Sequence, residues 1–483
     1  MNLLDRAISA ISPTAGLRRM AARAGLDQMK ALSGKRSYDG ARVGQKKGSP
    51  FGRDWAQGHH LSDLRRGARY LDRNSSYAGK AMDVLANNAI GEGWMAGFSH
   101  VKRKNQRVTL ETEYERWCKV ADFRGKQSFD GLCWTATRSM LVDGEIIIRF
   151  HVVPWKPGDP VPLRLELLPI DLLSSGSITK SNVIDGIEYD ENARPVAYYF
   201  TQEGLRRDGA FIGGKPPVRV PAEEIIHLYE VLNALQWRGI TRMARAMLRI
   251  SDLEEYEEAR LIQAKIAACF AAFVTDLPSS TGLSPAIAPL QSAPGRPGQQ
   301  IEQLAPGLIA YLKPGQDVKT AVPQRIETGG YVSDQIRAIA VGCGVMYEQI
   351  SGDLEKVNYS SFRAGDRDFK RSIKVLRQLT LLPQLFDRVW SQWARAAAIM
   401  GMTYAPSVSP VWTPPAFESV DRRADAEADR LELDNGTATE EQLVLERGVT
   451  VAQQIASHEA SKELYTARKG GAPQFDKPGP SAA

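Results

Sequence analysis

The chain is poor in the residues that build chemistry. Its four cysteines, Cys118, Cys133, Cys269 and Cys343, are scattered without any C-x-x-C spacing. That argues against a zinc site or a disulfide framework and for reduced, buried thiols in a cytoplasmic setting. The six histidines (His59, His60, His100, His151, His227, His458) do not group with plausible metal-ligand partners, and no H-E-x-x-H occurs. No G-x-x-x-x-G-K-[ST] loop is present to cradle phosphates, and no G-x-S-x-G elbow. Gly91-x-Gly93 reads as a helix stop. The acidic run Glu254, Glu255, Glu257 and Glu258 has no strand-borne acidic partner of the kind a nuclease uses, so it reads as a solvated helix face. Long hydrophobic runs are missing too: the longest, residues 266–274, is nine residues, against the ~20 needed to span a bilayer. The apolar start of the chain is interrupted by Asp5, Arg6 and Ser9, so no signal peptide is expected there. The expectation is no enzyme, no cofactor, no metal and no membrane partner.

What is there describes an ordinary globular protein. Hydrophobic residues make up 43% and charged residues 24% of 483, a length that suggests about three sub-domains. The net charge of +6 is localised. Residues 1–60 carry eleven Lys/Arg against four Asp/Glu, leaving 51 of the 62 basic and 52 of the 56 acidic residues for the rest. A basic, flexible arm therefore precedes a near-neutral body. Its cations include Arg18, Arg19, Arg23, Lys35, Arg36, Lys46 and Lys47, with a short amphipathic helix over residues 3–11.

Hydrophobic periodicity predicts one helix over residues 61–88, then helices over 108–120 and 129–142. Strands are predicted at 145–153, 163–168, 196–200 and 225–229, with turns at Asp185-Gly186 and Glu191-Asn192. A helix follows over 241–274, dense in alanine in its second half. Residues 278–298 read as a loop, and short strands as 308–312 and 318–321. Another helix is expected over 331–350. From 366 to 400 the pattern is helical, with Phe369, Ile373, Leu376 and Leu379 on one face and Lys370, Arg371, Lys374 and Arg377 on the other. Pro383 should kink it, because it lacks an N–H and its ring clashes with the preceding turn. Two polar helices are expected around Asn435-Gly436.

The most informative stretch is Tyr347-Glu-Gln-Ile-Ser-Gly-Asp-Leu-Glu-Lys-Val-Asn-Tyr-Ser-Ser-Phe-Arg363. Ser351, Gly352, Asp353, Asn358, Ser360 and Ser361 are turn and N-cap residues. They make a polar loop held between a buried helix and a strongly basic one. The stretch resembles the tunnel-facing loop of the lambda-type bacteriophage portal proteins, the ring-shaped connectors through which DNA enters and leaves a capsid. Short motifs over roughly residues 60–450 follow the same family's order. They include Leu64-Arg-Arg-Gly-Ala-Arg-Tyr-Leu-Asp-Arg-Asn74, Asn87-Asn-Ala-Ile-Gly-Glu-Gly93, Trp117-Cys118, Gly144-Glu145, Gly186-Ile-Glu-Tyr-Asp190, Ile226-His-Leu228 and Arg238-Gly-Ile240. Further on come Pro306-Gly307 and Leu312-Lys-Pro-Gly315.

The resemblance implies an α+β, portal-type subunit. It has a wing (61–240), a stem helix (241–275), a small β-containing clip (276–329) and a second stem helix (330–350). A tunnel loop (351–362), a kinked long helix with wing return (363–416), a helical crown (417–465) and a disordered tail (466–483) follow. It implies a loop site of Gly352, Asp353, Lys356, Asn358, Tyr359 and Ser360, with Tyr359 as its anchor. A basic helix near the tunnel would use Arg363, Lys370, Arg371 and Lys374. Terminase would dock at Pro306, Gly307, Leu308, Pro314 and Gly315. Implied partners are further copies in a ring of twelve, double-stranded DNA and the terminase large subunit. The major capsid and scaffold proteins, and a head-completion or tail-connector protein, complete the set. The virion would be assembled in the host bacterial cytoplasm. Apart from the resemblance, a phage nucleic-acid enzyme such as a nuclease and a monomeric adaptor with a basic arm remain alternatives.

Overall fold

The computed structural model describes residues 61–98, 100–174, 182–201, 204–205, 211–212, 216–234, 236–268, 273–275, 310–312, 330–355, 358–418 and 421–469. The expected basic arm, the clip loop and strand 318–321 lie outside these residues. The described chain forms two units, one spanning residues 249–336 and the other holding the rest.

In the larger unit, helices α1 (Leu61–Asn74) and α2 (Ser76–Ala89) replace the single helix expected over 61–88. Ser75 sits between them in extended conformation (φ −93°, ψ 119°), its N–H still bonded to Leu71 at 2.8 Å and its carbonyl to Gly79 at 3.1 Å. The Ser75 side chain makes no cap bond and its hydroxyl has no partner among the described residues, so the backbone alone marks the boundary. α1 buries Leu64, Arg65, Ala68 and Leu71, one stripe at helical spacing. Tyr70, off that stripe, is 62% exposed. Strand β1 (Met95–Gly97), α3 (Lys104–Cys118) and α4 (Phe129–Asp143) follow. α4 starts on a Ser128 cap and stops at left-handed Gly144.

The sheet begins with β2 (Glu145–Val152) and β3 (Leu163–Leu168). A small antiparallel sheet adds β4 (Val183–Ile184), β5 (Ile187–Tyr189) and β6 (Pro195–Phe200). Short strands β7 (Gly204–Leu205) and β8 (Phe211–Ile212) pair with each other, before β9 (Val218–Pro221) and β10 (Ile225–Tyr229). β2 is the centre of the order β10-β2-β3, all antiparallel, while β4-β5-β6-β9 form the second sheet. The Ile-rich first half of β2 is buried and Ile146, Ile147, Ile148 and Phe150 are in the core, whereas Val152 at its end is 81% exposed.

The smaller unit contains most of α5 (Met247–Ala268) and the start of α6 (Tyr331–Cys343). Within it, the Tyr256 and Tyr331 rings lie 4.8 Å apart, and Arg249 donates to Gln335 at 3.3 Å. The helix expected to reach residue 274 stops at Ala268. Phe273–Thr275 is instead strand β11, parallel to β12 (Ala310–Leu312). Phe-Val-Thr is an aromatic and β-branched run, which fits a pleated surface better than a helix turn.

Back in the larger unit, Gly344 (φ 80°) separates α6 from the short α7 (Tyr347–Ser351), so the helix expected over 331–350 is also two. Helix α8 (Tyr359–Leu376) starts earlier than the expected residue 366. It runs through a ten-residue π-helical segment, Arg377–Phe386, into α9 (Asp387–Ile399). Pro383 lies inside the π segment, so widening of the turns is how the helix accommodates a residue without an N–H. Phe369, Ile373 and Leu376 are buried as expected, but Leu379 is 70% exposed. The wider π turn shifts the phase that a 3.6-residue period assigns to it.

The core is aromatic. Trp94 stacks on Phe386 at 4.3 Å, Trp390 on Trp393 at 4.9 Å, and Tyr114 meets Trp393 edge-on at 5.3 Å. This ties α3 and Trp94, just before β1, to α9 and the π segment, 279 (Tyr114 to Trp393) and 292 (Trp94 to Phe386) residues later in the chain. Strand β13 (Val411–Thr413) pairs with β1. Three polar helices end the described chain where two were expected: α10 (Arg422–Asp434), α11 (Glu440–Glu446) and α12 (Val451–Lys469). α12 runs three residues beyond Tyr465–Thr466, where the tail was expected to begin.

Candidate functional site

The polar loop after α7 is organised by its own side chains. Gly352 takes a left-handed conformation (φ 68°) in open space, so glycine serves the backbone there and not packing. The Asp353 carboxylate accepts from the Glu355 N–H at 3.1 Å and from the Tyr347 hydroxyl at 3.3 Å. The Asp353 N–H donates to the Ser351 hydroxyl at 3.1 Å. The Arg337 guanidinium lies 5.0 Å from the Tyr347 ring centroid. Asn358 caps α8 by accepting from the Ser360 N–H at 3.2 Å. Gly352, Asn358 and Ser360 are exposed and Asp353 is half-buried. Lys356 lies outside the described residues, as does the side chain of Tyr359, the expected anchor. Tyr347, which was not singled out as a site residue, fastens the described part of the loop. A tyrosine one helical turn before Ser-Gly-Asp was the available signal.

The basic helix is less basic in place than in sequence. A cleft of about 450 Å³ along α8 is lined by Arg363, Arg367, Lys370, Arg371 and Lys374, but also by Asp366, Glu418, Asp421 and Asp425. Lys370 pairs with Asp366 at 2.7 Å and donates to the Glu418 carbonyl at 3.2 Å, while Arg363 reaches Asp425 at 3.7 Å. Arg367, Arg371 and Lys374 are exposed and make no ion pair among the described residues. These three are the cations that a polyanion could meet without first displacing an acid.

Arg377, expected on the same basic side, is buried at 4% exposure. Its guanidinium donates to Asn88 at 2.7 Å, Ala89 at 3.0 Å and Pro415 at 3.2 Å, all backbone carbonyls, and sits 4.7 Å from the Phe417 ring centroid. Asn88 and Ala89 end α2, where the helix dipole favours a cation. Burial pulls its pKa down to about 10. Arg377 is thus a clamp between α2, the π segment and the chain leading to α10.

The scattered sequence motifs meet at one residue. Glu145, fully buried, accepts from Arg65 at 2.9 Å, from Arg238 at 2.6 Å, from the Gly239 N–H at 3.0 Å, and lies 2.9 Å from His227 Nε2. These partners come from the Leu64-Arg-Arg, Ile226-His-Leu and Arg238-Gly-Ile motifs. Burial pushes the carboxyl's pKa up, but the Arg238 charge and the His227 hydrogen bond more than reverse this. The carboxyl is therefore held well below the usual range. Gly144 and Gly239 allow the approach: a Cβ on Gly239 would strike the Gly144 carbonyl, and one on Gly144 would come within 2.6 Å of the Ile240 backbone. Around this centre Arg69 binds Asp143 at 2.7 Å and Arg138 binds Asp72 at 2.9 Å and Asp83 at 2.7 Å.

The residues expected at the terminase-docking surface, Pro306, Gly307, Leu308, Pro314 and Gly315, lie outside the described residues. The described cysteines, Cys118, Cys133 and Cys343, are free thiols. No described helix is long and apolar enough to cross a membrane.

The chain resembles known proteins over most of its length. A "Probable portal protein" of Halomonas phage phiHAP-1 is 24% identical over 412 residues, covering 80% of this chain and 77% of that one. Portal protein B of Escherichia phage lambda is 22% identical over 337 residues, covering 61% of each. Among solved structures, a chain of "Neck of native GTA particle computed with C12 symmetry" is 17% identical with a TM-score of 0.43. It matches 82% of this chain and 94% of its own length. The family model described as "Phage portal protein, lambda family" matches residues 40–377. That span holds both the Glu145 centre and the loop after α7, and the chain belongs to the lambda family of phage portal proteins.

Proposed function

We propose that this chain is the portal subunit of a phage head, twelve copies of which close a ring at one capsid vertex. Double-stranded DNA is packaged and later ejected through the ring. The terminase large subunit docks on it during packaging, the major capsid and scaffold proteins surround it during assembly, and a head-completion or tail-connector protein joins afterwards. The work is mechanical, not catalytic, and is done within a virion built in the host bacterial cytoplasm. The observation that carries this reading is the family match over residues 40–377. The near-neutral body supports it: a wall pairing a cation with every phosphate would grip DNA, whereas passage needs weak contact.

In this reading residues 61–240 are the wing, 241–275 and 330–350 the stem, 276–329 the clip, and 417–465 the crown. The loop of Gly352, Asp353, Lys356, Asn358, Tyr359 and Ser360 faces the channel. Arg363, Lys370, Arg371 and Lys374 lie behind it, and Arg371 and Lys374 supply the free charge. Pro306, Gly307, Leu308, Pro314 and Gly315 form the terminase-docking surface. Size exclusion and negative-stain imaging of the purified chain test the reading directly. Rings with a central channel are expected; a strictly monomeric chain, with or without nuclease activity, refutes it.

A further inference from the structure

A second cleft, of about 570 Å³, lies between the two sheets and the π segment. Its wall is a run of rings: Trp237 stands 5.4 Å from Tyr189, and His227 stands 5.7 Å from Tyr198 and 4.7 Å from Tyr229. Pro383 and Gln384 close one side.

The side-chain polar groups open to this cleft are mostly donors. Tyr198 is buried except where it lines the cleft, and its hydroxyl, open to that space, makes no hydrogen bond among the described residues. The Tyr189 hydroxyl and the Trp237 indole N–H also lack partners among those residues. Gln384 commits its oxygen to the Tyr229 N–H at 3.2 Å, leaving its amide hydrogens open. Arg388 donates to the Ile225 carbonyl at 3.3 Å and forms no ion pair among the described residues. Burial raises the pKa of both tyrosines, which keeps the phenols protonated and able to donate. Glu223, exposed at the rim, is the one carboxylate in the described lining.

Donors therefore outnumber acceptors on an aromatic surface. The complementary ligand offers carbonyl oxygens and flat apolar rings but few N–H groups. A polyproline segment has that profile: it carries no backbone N–H, its pyrrolidine faces pack on Tyr and Trp, and its pre-set φ limits the ordering cost. An oxyanion would engage Arg388 but leave the rings bare and face Glu223. We propose that this cleft docks an extended, proline-rich segment of a partner protein. The inference is independent of the channel reading.

The test uses the full chain and a capped (Ala-Pro)5 peptide, with (Ala-Gly)5 and inorganic phosphate as controls, in calorimetric titration. The proline peptide alone is expected to bind. Tyr198→Phe, which removes one oxygen and keeps the ring, should weaken binding about three- to tenfold with an unchanged melting curve. Trp237→Ala should abolish it. Absence of binding, equal binding of (Ala-Gly)5, or indifference to Tyr198→Phe overturns the proposal. Displacement of the peptide by phosphate would make the cleft an oxyanion site and overturns it equally.

Discussion

Removing the Glu145 carboxylate is the sharpest test of how this subunit is held together. In Glu145→Ala the guanidiniums of Arg65 and Arg238, now 2.9 and 2.6 Å from a carboxylate, stay buried with no counter-charge at that point. Their remaining carboxylates are Asp171, 3.0 Å from Arg65 and half-exposed, and Asp185, 3.9 Å from Arg238. Breaking a buried pair by deleting one partner typically costs about 3–5 kcal/mol, most of it the burial of the stranded charge. Glu145→Gln keeps the shape, so a loss of at least about 2 kcal/mol in that variant isolates the charge from the cavity. Urea unfolding followed by tryptophan fluorescence reports on the aromatic core of the same unit. The pH dependence has a definite sign. The unfolded carboxyl titrates near 4.5 and the folded one lower. Its contribution is therefore complete above about pH 5 and drains as pH falls through the unfolded value toward the folded one. Wild type should lose stability over that acid range by an amount that Glu145→Gln does not show. A loss below about 1 kcal/mol in both variants would refute the reasoning, since it would mean that the arginines relax to water at little cost.

Shortening the loop within residues 352–361 should leave rings intact in negative-stain images but impair DNA packaging or retention; normal genome content in the mutant heads would remove the loop from the channel. Deleting residues 306–315 should abolish terminase binding, measured on whatever rings form, while the wing still folds. Truncating residues 1–50 should preserve rings and lower the fraction of capsids that incorporate one; normal incorporation together with lost salt-sensitive DNA binding would make the arm a nucleic-acid contact. Arg377→Met should destabilise the chain by about 1–3 kcal/mol, because the half-buried Asn88 and Pro415 carbonyls lose a donor and the buried Ala89 carbonyl keeps only the Trp94 indole, whereas Arg371→Met, at an exposed site, should fall within about 0.5 kcal/mol.

Local order was legible in the sequence wherever a short-range rule governs it. The Ile-rich run after Gly144 is the central strand β2, the helix read over residues 129–142 is α4, and Asn358, read as a turn or N-cap residue, caps α8. Family membership was legible too, from ordered short motifs that no single position could carry. What periodicity missed were interruptions whose cause is local geometry: Ser75 splitting α1 from α2, Gly344 ending α6, and the π turns around Pro383 that move Leu379 to the surface. Only the tertiary structure decided what the charges do. Arg377 and Lys374 stand three residues apart and look alike in sequence, yet one is buried under Phe417 and the other exposed, because the carbonyls that receive Arg377 come from residues 88, 89 and 415. Likewise Arg65, Glu145, His227 and Arg238 share no sequence neighbourhood. A charge is stabilised by what surrounds it in space, and burial of one carboxylate between arginines drawn from two distant segments is a property of the folded chain alone.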